Sequence, residues 1–162
     1  MTNQKKAILS LLRQNARLSV EELADRLQSQ PGVIAGLIEE LEGDGIILGY
    51  TAILSPAAEQ EQVRAIIEVQ VQPERDAGFD NIARTLGKFP EVVAVHLVSG
   101  SYDLRLEVVG NSLQDVASFV AGRLACQDGV KSTATLFLLK KYKEAGIEFE
   151  KEEEYERLNI TP

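Results

Sequence analysis

Two short stretches hold residues whose types and spacing could do chemistry. The first is Gln28, Ser29, Gln30, Gly32, Ala35 and Gly36, where amides, a hydroxyl and side chains small enough for close approach follow one another. A glutamine amide both donates and accepts, which matches an adenine edge in the DNA major groove, so such a set on one helix face suits base reading. The second is Gly100-Ser101-Tyr102-Asp103. There a glycine lets backbone amides face a carboxylate and an aspartate can take an ammonium group, the two ends of an amino acid; the same four residues also make an ordinary β-turn. His96 alternates with Val95 and Leu97 just before that turn, and Ser132, Thr133 and Thr135 supply hydroxyls from a later strand. A lone strand histidine is ordinarily a packed or interface residue, and at this position it also suits a pH sensor of ligand binding.

The elements that must position these groups are written in the apolar spacing. Ile8, Leu11 and Leu12 mark a first helix ending near Asn15. Val20, Leu23, Ala24 and Leu27 mark a second, opened by the capping box Ser19/Glu22, and Ile34, Ile38 and Leu41 mark a third that starts near Pro31 and stops at Gly43 and Gly45. Gln28-Ser29-Gln30 is then the turn of a helix-turn-helix, with a plain three-helix bundle as the alternative. Ile46 to Leu54 reads as a short strand or hairpin arm, and Ser55-Pro56 to Gln62 as a hinge. Beyond it the period changes to two: strand 63–71, helix 79–86, strand 92–98, strand 102–109, helix 113–124 and strand 130–139. This β-α-β-β-α-β order predicts a ferredoxin-like four-stranded antiparallel sheet with both helices on one face, an α+β fold overall. The bare sheet face predicts a homodimer. The expected organisation is a helix-turn-helix, winged-helix-like domain at 1–56, a linker at 57–62, the ferredoxin-like domain at 63–143 and an acidic tail at 144–162.

Composition narrows the classes. The 162 residues carry 17 Lys+Arg against 25 Asp+Glu, net -8, which argues against a generic binder of phosphate backbones. Divided along the chain, the acidity is uneven: residues 1–56 have five bases and seven acids, residues 57–143 ten and eleven, residues 144–162 two and seven. Most of the charge belongs to the tail and does not describe the first domain. A solvated run explains the tail simply; a sharper reading has its glutamates compete with DNA phosphates for Lys5, Lys6, Arg13 and Arg17. One cysteine, Cys126, makes no internal disulfide, and one histidine builds no zinc cluster, so neither a metal nor any other cofactor is expected. No apolar run approaches a bilayer span, and Arg13 interrupts the apolar start, which together predict a cytoplasmic protein with no membrane partner. No nucleotide-binding loop or nucleophile elbow is present, so an enzyme is not expected.

Leu41-Glu42-Gly43-Asp44-Gly45-Ile46-Ile47-Leu48-Gly49-Tyr50, with Ala16 to Ala24 upstream and Gly100-Ser101-Tyr102-Asp103-Leu104 downstream, resembles the leucine-responsive regulatory protein/AsnC family of transcriptional regulators over about residues 4 to 143. The resemblance implies a dimer, often assembled further to an octamer, that binds double-stranded DNA and responds to a small metabolite, usually an amino acid, at subunit interfaces of the second domain. With the stripe of Ile34, Ile38 and Leu41 facing inward, groove contact is expected from Gln28, Ser29, Gln30, Gly32, Ala35 and Gly36, and phosphate contact from Arg13 and Arg17 beside the first two helices. The resemblance favours effector contact at the turn Gly100, Ser101, Tyr102 and Asp103; His96, by its place just before that turn, and Thr133 and Thr135, by their hydroxyls, are expected to complete the site. The third helix departs from the family: between Leu27 and Pro56 stand Glu39, Glu40, Glu42 and Asp44 and no Lys or Arg, where relatives commonly carry Arg or Lys. Two alternatives follow, a sensing oligomer that has lost DNA binding and, on the same architecture, an enzyme resembling siroheme decarboxylases.

Overall fold

The computed structural model describes residues 1–59, 62–73 and 78–149 and separates two compact units, 1–53 and 54–162. In the first unit, α1 (Asn3–Gln14), α2 (Val20–Leu27) and α3 (Pro31–Gly43) close around Ile8, Leu18, Leu23, Ala24, Ile34 and Leu41. Each start has a local cause. The Thr2 hydroxyl accepts from the Lys5 amide at 3.3 Å. The Ser19 hydroxyl accepts from the Glu22 amide at 3.2 Å while the Glu22 carboxylate accepts from the Ser19 amide at 2.8 Å, so two otherwise orphan donors are satisfied. Pro31 opens α3 with its fixed φ. Gly45 at φ +67° ends it, with the Ile46 amide folding back onto the Leu41 carbonyl at 2.9 Å.

In the second unit a 3-10 turn (Pro56–Glu59) precedes β1 (Val63–Val71), α4 (Asp80–Leu86), β2 (Val92–Leu97), β3 (Leu104–Gly110), α5 (Leu113–Phe119) and β4 (Val130–Phe137). The sheet is antiparallel in the order β2-β3-β1-β4. α4 packs over β2 and α5 over β3 and β1. Alternation sends Ala65, Ile67 and Val69 of β1 and Leu104, Leu106 and Val108 of β3 into one core with Ile82, Leu86, Val116 and Phe119. Their neighbours Ile66, Glu68 and Gln70, and Arg105 and Glu107, lie on the face that no helix covers. Among the described residues, no helix is long and apolar enough to cross a membrane.

Three details depart from the sequence reading. Residues 46–54 form no strand, because alternation supplies a strand's faces but not the neighbouring backbone that a ladder needs. The helix read as 113–124 becomes a π-turn from Val120 to Leu124, which carries Arg123 over the rings of Phe89, at 4.7 Å, and Phe119, at 5.5 Å, and onto the Glu91 carboxylate. The acidic run begins in a hairpin of β5 (Lys143–Glu144) and β6 (Ile147–Glu148), turned at Ala145 and Gly146, both with positive φ as in a type I′ turn. Glu144 pairs with Lys141 at 2.8 Å and Glu148 with Lys143 at 3.0 Å, so these two acids are not a free anionic run. The remaining acids, Glu150 to Glu156, lie outside the described residues.

Candidate functional site

In the first unit, α2 ends with Gln28 in the left-handed region (φ 49°, ψ 49°), and the Ser29 amide returns to the Ala24 carbonyl at 2.9 Å. This tight turn sets α3 across α2. Gln28, Gln30 and Gly32 are exposed, whereas Ser29, Ala35 and Gly36 are half-buried. Ser29 is tied inward: its hydroxyl accepts from the Gln4 amide of α1 at 2.9 Å. The set expected to face a groove is thus split, with Ser29 bracing the turn and the others turned outward to differing degrees. Val33 is 47% exposed and stands outside the core cluster. Its position 100° from Ile34 on the helix could have shown this.

The acids of α3 are partly answered. Lys5 lies 2.9 Å from Glu40 and 3.8 Å from Asp44, and the hydrogen bond to Glu40 raises its pKa above the ordinary lysine value despite an opposing desolvation. The Tyr50 hydroxyl donates to Glu42 at 2.8 Å, and burial followed by that hydrogen bond raises its pKa too. Lys5 is therefore committed to α3, while Lys6, Arg13, Arg17 and Arg26 are exposed and make no ion pair among the described residues.

In the second unit, Gly100-Ser101-Tyr102-Asp103 is the connection from β2 to β3. Asp103 acts as a joint: its carboxylate accepts from the Val71 amide at 2.9 Å, its own amide donates to the Val69 carbonyl at 3.0 Å, and its carbonyl accepts from the Val98 amide at 2.9 Å. Gln70, which the sequence reading missed, links the turn to β4. Its amide nitrogen donates to the Ser101 carbonyl at 2.7 Å and its amide oxygen accepts from the Ser132 hydroxyl at 2.8 Å. No sequence signal marks it beyond its place at the polar end of an apolar strand.

The register sorts the remaining candidates. Thr133 pairs with Val69 and Thr135 with Ile67, so both face the helix side, whereas Ser132 pairs with Gln70 on the open side. His96 pairs with Arg105, which in turn pairs with Glu68, giving a polar row across three strands of the open face. The sheet thus brings Ser101, Gln70 and Ser132 together and sets His96 on the same open face. Thr133 and Thr135 fall on the opposite face because adjacent strand residues alternate.

A cleft of about 560 Å³ lies elsewhere in this unit, between the 3-10 turn and the end of β4. On its wall Glu59 accepts from Arg64 at 2.7 Å and from Lys141 at 2.9 Å. The Lys141 hydrogen bond, opposed by burial and aided by the Arg64 charge, holds the Glu59 carboxyl below the usual glutamate range.

Residues 1–47 match the model of a winged helix-turn-helix DNA-binding domain and residues 64–147 that of the Lrp/AsnC ligand binding domain. The chain belongs to the Lrp/AsnC family of transcriptional regulators. Similarity to an individual member extends end to end: the HTH-type transcriptional regulator YugG of Bacillus subtilis is 37% identical over 164 residues, covering 100% of this chain and 99% of that one. Among solved family structures, a transcriptional regulator of Neisseria meningitidis in complex with L-Met is 28% identical, with a TM-score of 0.72 over 89% of this chain and 93% of that one. AsnC of E. coli, 24% identical, has a TM-score of 0.70 over 91% and 97% of the two chains and shows the shared fold. The helix-turn-helix and α+β fold expected from the sequence are therefore those of the family, and the named relatives are regulators of transcription.

Proposed function

We propose that this regulator acts as a cytoplasmic homo-oligomer, built from dimers, whose DNA affinity responds to a small zwitterionic metabolite of the amino-acid class. Gln28, Gln30, Gly32, Ala35 and Gly36 face the groove, Ser29 braces the turn, and Arg13 and Arg17 contact phosphates. The effector is held at the turn end of the open sheet face. Backbone amides of Gly100, Ser101 and Tyr102 take its carboxylate, Asp103 its ammonium, and His96 lies beside it across the sheet face. A subunit interface completes the site, to which Thr133 and Thr135 contribute from the helix side of a neighbouring protomer. Dimers join into octamers through surfaces other than the one that closes the dimer.

The observation that carries the reading is the polar cluster of Ser101, Gln70 and Ser132 at the end of an uncovered sheet face, in a chain that joins a DNA-binding and a ligand-binding domain. It is supported by the L-Met complex of the Neisseria relative. The experiment is a thermal-shift screen of the full chain against the twenty amino acids, followed by DNA anisotropy with and without any hit, because a ligand specific to the folded state raises its melting midpoint. A hit that shifts both readouts supports the reading. No stabilising amino acid, or a hit that leaves DNA affinity unchanged, counts against it.

The commitment of Lys5 to Glu40 favours a second reading, in which DNA binding has been lost and sensing kept. Absence of any duplex binding at about 50 mM salt is its signature.

A further inference from the structure

The outward face of α3 is unlike that of a helix built to reach guanine. Guanine presents two acceptors in the major groove and is read by Arg or Lys, whereas adenine presents a donor beside an acceptor and thymine a methyl group. No Lys or Arg lies between Leu27 and Pro56, and the flanking Lys5 is held by Glu40 and Asp44. Gln28, the C-cap of α2, and Gln30, the N-cap of α3, stand exposed where the turn enters α3, and Gln30 makes no side-chain cap hydrogen bond. Val33 is exposed one turn on from Gln30.

Gly32 and Gly36 share this outward face. A Cβ at either would meet nothing within 4 Å, and neither has a positive φ. Nothing inside the unit therefore calls for glycine, although glycine in a helix weakens it. The clearance is useful only to something that approaches from outside. The acids Glu39, Glu40, Glu42 and Asp44 sit toward the other end of α3, so an approach led by its N-terminal turns keeps them farther from phosphates.

Resting on the DNA-binding reading above, we propose that α3 reads A·T base pairs and makes no guanine contact. Gln28 and Gln30 pair with adenine edges, Val33 packs on a thymine methyl, and Gly32 and Gly36 provide the clearance that seats the helix close to the groove floor.

The test uses the full chain to select duplexes from a randomised library at about 50 mM salt, then measures anisotropy on a selected duplex and on the same duplex with deoxyuridine for thymine. The expected half-sites are A·T pairs. Removing the thymine methyls is expected to cost roughly threefold or more in affinity, the scale of one buried methyl. Val33→Ala should weaken binding to the thymine duplex and lose the discrimination between the two. Gly36→Ala should raise the melting midpoint by roughly 4 °C or more, as added helix propensity in a small domain does, and yet weaken DNA binding. That opposition of signs excludes misfolding as the cause. Half-sites anchored on guanine, equal affinity for thymine and deoxyuridine duplexes, or undiminished binding by Gly36→Ala overturn the proposal while leaving DNA binding intact. Recovery of no duplex at all overturns the DNA-binding reading and this proposal with it.

Discussion

Gln28 and Asp103 hold the fold at the two places where function is proposed. A non-glycine residue in the left-handed region costs on the order of 1 kcal/mol, and Gln28 sits there at the turn on which the orientation of α3 depends. Gln28→Gly is therefore expected to stabilise the first unit by about 0.5–1 kcal/mol in denaturant titrations, and to lose DNA affinity if the amide reads a base. A lower stability would show that the side chain earns its place through packing. Asp103 holds the Val71 amide with one carboxylate oxygen. Asp103→Asn keeps an acceptor but loses the charge, so the melting midpoint should stay within a few degrees of wild type while stabilisation by an amino-acid effector disappears. Asp103→Ala strips the acceptor as well and should cost about 1–3 kcal/mol, the usual penalty for an orphaned buried donor. If the Asn variant still binds effector with undiminished affinity, Asp103 is a joint of the sheet only.

At the scale of elements, legibility followed from whether the signal was local. Caps, the proline start of α3 and the glycine stop are chemical events within a few residues, and all three helices of the first unit stand where periodicity put them. The sheet was equally readable, since one buried face enforces alternation. The π-turn was not, because Val116, Val120 and Leu124 fit an α-helical stripe just as well. Nor was the hairpin after β4, where the glutamates were counted as charge while their partners Lys141 and Lys143 stood close by in sequence. Gln70 escaped because its importance lies in two contacts distant in sequence, Ser101 and Ser132. Between elements, the Glu59–Arg64–Lys141 cluster ties the 3-10 turn to β1 and to the end of β4. Because the folded pKa of Glu59 is depressed, its contribution is present above the unfolded glutamate pKa and is lost as pH falls through the folded value. Glu59→Gln should thus be less stable than wild type by about 1–2 kcal/mol near pH 7, and the gap should narrow steadily below about pH 4.5, where wild-type Glu59 also becomes neutral. A gap independent of pH would show that shape rather than charge holds the cluster.

For the molecule as a whole, the proposed assembly turns on the open sheet face. Its turn end is polar, with Gln70, Ser132, Glu68, Arg105 and His96. The other end carries Ile66 between Leu136 of β4 and Glu107 of β3, the latter held by Arg64 at 3.4 Å, and Leu138 follows. Leu136 and Leu138 are 50% and 40% exposed. An apolar patch rimmed by polar groups on a helix-free sheet is best satisfied by the same patch on a second copy about a two-fold axis, because each protomer then supplies the complement of its own surface. This arrangement would also place two effector turns on one assembly, so a ligand with unequal affinity for two arrangements of protomers could shift the DNA-reading heads. Leu136 is a suitable probe, since it lies on the bare face of an edge strand and its replacement disturbs no buried core residue. Leu136→Glu should leave the far-ultraviolet circular dichroism unchanged and move the sedimentation profile from dimers or larger species toward the monomer at micromolar concentration. A wild-type chain that sediments as a monomer, or a Leu136→Glu variant with unaltered mass, would remove this face from the assembly. The effector site would then have to be complete within one protomer.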